Sequence, residues 1–82
     1  MTKRDLFDWA INKGCESIPM GNNNAPAVFL YHEENNTRAI FNTQRMEQQA
    51  DEEFICMICL QLRIEIPNYG KKAIETINKL RN

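Results

Sequence analysis

Two runs rich in β-branched and aromatic residues, Ala27-Val28-Phe29-Leu30-Tyr31-His32 and Arg38-Ala39-Ile40-Phe41-Asn42-Thr43, flank five turn-forming residues, Glu33-Glu34-Asn35-Asn36-Thr37. That spacing predicts a β-hairpin. Two strands alone are marginal in water, so the hairpin must lie against helices. With 82 residues the chain has room for one domain, 1–82, with a small core.

Helices are predicted on both sides of the hairpin. Over residues 3–13, Leu6, Phe7, Ala10 and Ile11 recur at helical spacing. Thr2 stands as N-cap with Asp5 three residues on, and Gly14 supplies a stop. Trp9 lies beside the apolar face and is expected to be half-buried, its indole N–H meeting a rim partner. Cys15-Glu16-Ser17-Ile18-Pro19-Met20 reads as a short edge strand, followed by the turn-rich loop Gly21-Asn22-Asn23-Asn24-Ala25-Pro26.

After the hairpin, Thr43 is expected to cap a helix through Gln44 and Ala50, with Met46, Ala50, Phe54, Met57 and Ile58 on one side. Residues 58–66 fit either a strand or a helix, and helix is favoured to about Leu62 because no turn signal precedes it. As a strand, 60–66 would join the hairpin as a third member. Pro67 forces Ile66 out of the helical region. A last helix over residues 71–80 would carry Ala73, Ile74, Ile77 and Leu80 on its inner face. The expected class is α+β, with an N-terminal helix, a hairpin of two or three strands and two C-terminal helices.

Charge and cysteine usage narrow the function classes. A net charge of −1 excludes wholesale coating of nucleic acid, so any such contact must be local. No apolar run is long enough for a membrane span, and the first residues lack a signal peptide's apolar stretch. A cytoplasmic protein is therefore expected, with no membrane partner. Three cysteines, an odd number, argue for reduced thiols rather than a disulfide framework.

The segment after Ile66 is the most informative. It runs Pro67-Asn68-Tyr69-Gly70-Lys71-Lys72-Ala73-Ile74-Glu75-Thr76-Ile77. Lys71, Lys72, Lys79 and Arg81 face a single acid, Glu75, which leaves a local surplus of three positive charges. Lysines in a first helical turn oppose the macrodipole, each by roughly 0.3–1 kcal/mol. Free backbone N–H groups, a glycine that permits close approach and adjacent lysines make a phosphate-sized anion site. Such a site grips a nucleic-acid backbone without reading bases.

This stretch resembles the Pro-Asn-aromatic/aliphatic-Gly-Lys-Lys-small-aliphatic segment in the C-terminal domain of the RNA polymerase alpha subunit of bacteria, the second half of a helix-hairpin-helix-like unit. The resemblance covers about a fifth of the chain and does not extend to residues 1–44. It implies DNA-backbone contact by Asn68, Gly70, Lys72 and Ala73, with Ala73 where the family usually has a serine. Lys71, Lys79 and Arg81 would add electrostatic attraction. Contacts this few bind weakly and with strong salt dependence, so a protein partner or a weak homo-oligomer is expected to supply specificity.

Other constellations point elsewhere. Cys56-Met57-Ile58-Cys59 with Cys15 and His32 has the ligand types of a Cys₃His zinc set, but its apolar spacers favour core cysteines. His32, beside Glu33 and Glu34, reads as a solvent-facing strand-end histidine. The order helix, hairpin, helix is similar to that of HicA-type mRNA interferases, small RNases with one catalytic histidine. Here His32 ends the strand instead of following a Gly-Ser pair. Phe29 and Tyr31 share one strand face, which Phe41 could join; with Trp9 such aromatics could stack bases, but a helix covering that face would make them core, and a small domain needs its aromatics there, so core is the favoured reading. The acidic group Glu47, Asp51, Glu52 and Glu53 reads as a solvated helix face, or as a dock for a basic partner.

The expected protein is thus a non-enzymatic binding module with no catalytic residue, metal or cofactor. Nucleic-acid backbone contact is expected through 68–72 and the last helix. The alternative is a protein–protein adaptor using the acidic helix or the hairpin edge.

Overall fold

A computed structural model describes residues 1–20 and 26–67. Helix α1 (Lys3–Asn12) begins at the predicted cap. Asp5 N–H donates to Thr2 Oγ1 at 3.1 Å, and Thr2 N–H donates back to Asp5 Oδ2 at 2.9 Å. Gly14 ends the helix with a φ of +105°, a conformation a side chain would strain.

Strands β1 (Cys15–Pro19), β2 (Ala27–His32) and β3 (Thr37–Asn42) form an antiparallel sheet in the order β1-β2-β3. The third strand is therefore the Cys15 segment. Residues 60–62 close helix α2 (Glu52–Leu62), and 63–66 are not a strand. The class is α+β.

The register sorts side chains between two faces. Val28 pairs with Phe41, Leu30 with Ala39 and Cys15 with His32, and all of these point toward the helices. Leu6 and Ala10 from α1, and Ile55, Ile58, Cys59 and Leu62 from α2, close this core. The Phe41 ring is fully buried, 5.7 Å from both Phe7 and Phe54. Met57, expected on the buried side of α2, is instead 55% exposed.

The helix expected from Thr43 is absent over 43–50, which folds as turns; α2 starts later, with Asp51 as its N-cap. The first-turn amides of α1 explain why. Lys3 N–H donates to the Gln48 carbonyl and Arg4 N–H to the Met46 carbonyl, both at 2.9 Å, while Ala50 N–H donates to the Met1 carbonyl. A helix over 44–50 would consume those carbonyls itself and leave α1 with orphan donors.

Helix α2 stops before Pro67 acts. Arg63 adopts the left-handed region at φ +55°, and Ile64 N–H returns to the Cys59 carbonyl at 3.0 Å. Beyond α2 the chain meets α1 at Glu65. There Trp9 Nε1 donates to the Glu65 carbonyl at 2.8 Å, the rim partner expected for the indole. Lys13 pairs with the Glu65 carboxylate at 2.7 Å and lies 4.6 Å from the Trp9 ring centroid.

Candidate functional site

The residues predicted to grip phosphate, Asn68, Gly70, Lys71, Lys72, Ala73, Lys79 and Arg81, all lie outside the described residues, as does the expected helix over 71–80. The chain enters that segment through Pro67, which is buried.

His32 is a correction to the sequence reading. It does not face solvent; it is 6% exposed. Its Nε2 lies 2.8 Å from the Lys13 carbonyl, and its Nδ1 accepts from Asn35 N–H at 3.0 Å. A carbonyl can only accept and an amide N–H can only donate, so the ring holds the Nε2–H tautomer. Both ring nitrogens are thus engaged within the fold.

The three cysteines are buried and free. Burial raises the thiol pKa of Cys15 and Cys56, and it pushes Cys59, with Cys56 and Cys15 nearby, up to about 11. Among the described residues no three His, Cys, Asp or Glu side chains form a group that could hold a metal ion. These thiols are neutral core groups, poor as nucleophiles and as ligands.

The acidic group divides along the new helix boundary. Glu47 sits in the turn and pairs with Arg4 at 2.5 Å. Glu52 and Glu53 occupy the first turn of α2, where the dipole favours them.

What remains is the sheet face turned away from both helices. Cross-strand pairing places Ile18, Phe29 and Ile40 in one row and Glu16, Tyr31 and Arg38 in the next. Ile18 is 42% and Ile40 58% exposed, and Phe29 and Tyr31 are half-buried. The Arg38 guanidinium lies 5.9 Å from the Phe29 ring centroid and has no carboxylate partner among the described residues. No described element covers this face. Around the outer side of β3 it continues into a groove of about 480 Å³ that reaches Met57 and Gln61 on α2.

The aromatic residues therefore divide. Phe41 belongs to the core as expected, while Phe29 and Tyr31, expected there too, stand on the opposite, open face, because the register sets Phe41 across from Val28 and Phe29 across from Ile40. Sequence reasoning did not single out Ile18, Arg38 or Ile40 as surface-forming. The available signal was β2, whose residues 28–31 are apolar or aromatic at every position and so suit a strand used on both faces.

No helix among the described residues is long and apolar enough to cross a membrane. Compared with protein-family models, with curated proteins and with solved structures, the chain matches none.

Proposed function

We propose that the protein is a small cytoplasmic binding module, not an enzyme, that docks a partner protein on its open sheet face. The row Ile18–Phe29–Ile40 carries this reading. It is an apolar strip rimmed by Glu16, Tyr31 and Arg38, the arrangement of an interface core with a polar edge. Residues 1–67 contain six basic and ten acidic side chains, a balance that repels phosphate and favours a protein partner. Arg38, without an ion pair among the described residues, calls for a carboxylate beside the partner's apolar surface. The structural use of both His32 nitrogens supports binding over catalysis.

A photo-crosslinking phenylalanine analogue placed at Phe29, and at exposed Asp8 of α1 as a control, tests the reading. A discrete adduct from position 29 alone is expected, competed by unlabelled wild type and not by Ile40→Thr. Equal adducts from both positions would refute it.

Charge partition favours a second contact. Residues 68–82 carry a surplus of three positive charges, against four negative for the rest of the chain. A backbone-gripping role for Asn68, Gly70, Lys71, Lys72, Ala73, Lys79 and Arg81 fits that segregation. Retention on duplex DNA at rising salt should fall for Lys71→Ala/Lys72→Ala; unchanged retention removes this contact.

A further inference from the structure

The two edges of the sheet differ in what their backbones offer. Thr43 N–H donates to the Pro26 carbonyl at 2.7 Å, in line with the β2–β3 register. Antiparallel pairing alternates, so Thr37, Ala39 and Phe41 turn their N–H and C=O toward β2. Arg38 and Ile40 turn theirs outward, and no described group pairs with these edge amides. By the same alternation Cys15, Ser17 and Pro19 face outward on β1. Pro19 has no N–H to give, so the β1 edge is blunted. The β3 edge has neither proline nor a bulge, and the groove beside it brings Ile40 and Met57, both more than half exposed, to either side of the strand.

We propose that the β3 edge pairs antiparallel with β3 of a second copy of this chain. Placing Arg38 opposite Ile40 of the second copy satisfies the outward amides of both residues on both chains. In that two-fold register Ala39 meets Ala39, the smallest side chain available on the helix side, so the two α2 helices can approach. The charges are also compatible. Arg38 lies across from an aliphatic residue, never from the other Arg38, and Gln61 is the only other polar side chain lining the groove among the described residues. The contact is isologous and closes at two copies, because the opposite edge is the one Pro19 blunts. Each Ile18–Phe29–Ile40 row then continues into the Arg38–Tyr31–Glu16 row of its neighbour, which doubles the docking face.

Sedimentation velocity of the full chain over a concentration series, together with amide exchange at Arg38 and Ile40, tests this. The expected result is a monomer–dimer equilibrium in which exchange at both amides slows roughly tenfold or more as the dimer fills. Arg38→Pro removes one outward N–H at a position where an edge strand tolerates proline, and it should sediment as a monomer with an unchanged circular dichroism spectrum. If that variant unfolds, exchange in the wild type decides alone. A monomer at every concentration, or a dimer in which both amides exchange freely, overturns the proposal.

Discussion

A methyl group placed on Gly14 would lie 3.1 Å from Nε2 of His32, because the glycine packs against the edge of the ring. The end of β2 is thereby fastened to the end of α1, with the Lys13 carbonyl as the acceptor. His32→Leu leaves that carbonyl and the Asn35 N–H without partners, and should cost about 2–4 kcal/mol in urea unfolding. Gly14→Ala combines the close approach with positive φ, and should cost more than about 1 kcal/mol.

Asn35 links the hairpin loop to α2. Its side-chain amide donates to the carbonyls of Leu62 at 3.0 Å and Arg63 at 2.8 Å, and Thr37 Oγ1 adds a bond to the Leu62 carbonyl at 2.7 Å. These are orphan acceptors of the helix end. Asn35→Asp sets a carboxylate against two carbonyls, so it should destabilise more than Asn35→Ala. Chemical denaturation of the two variants should rank them in that order, with roughly 1–3 kcal/mol lost in the alanine variant.

Asp5 gives an acid-sensitive helix start. The Thr2 N–H, followed by the Thr2 hydroxyl, holds its carboxyl below the usual aspartate range. A depressed folded pKa contributes stability that is fully present above the unfolded value, near 3.9 by the usual reference, and lost as pH falls through the folded value. The stability difference between wild type and Asp5→Asn should therefore shrink on acidification below about pH 4.

The thiols give the opposite dependence. Cys59, raised by burial to about 11, favours the neutral form in the folded chain. Its contribution is complete below the unfolded thiol value of about 8.5, and disappears as pH rises through the folded value. Labelling of the native protein with a thiol reagent at mildly alkaline pH should be slow and should track unfolding. Fast labelling of any cysteine would show an open core.

Local signals make the helices and strands readable. Thr2 with Asp5 announces α1, and the aromatic runs around 33–37 give the hairpin to within a residue. The segment 43–50 misleads because its carbonyls serve α1, which is distant in sequence. His32 misleads in part for the same reason, since the Lys13 carbonyl that meets its Nε2 lies at the end of α1. The open face is hidden because Phe29 and Phe41 look alike as sequence. Only the cross-strand register, Phe29 to Ile40 and Val28 to Phe41, separates surface from core.

That separation is best tested by measuring unfolding free energy and partner capture on the same two variants, Ile40→Thr and Phe41→Ala. Ile40→Thr is predicted to stay within about 0.5 kcal/mol of wild type and to lose capture at position 29. Phe41→Ala should cost about 3–5 kcal/mol. A loss of core size from Ile40→Thr, or capture that survives it, would contradict a docking role for this face.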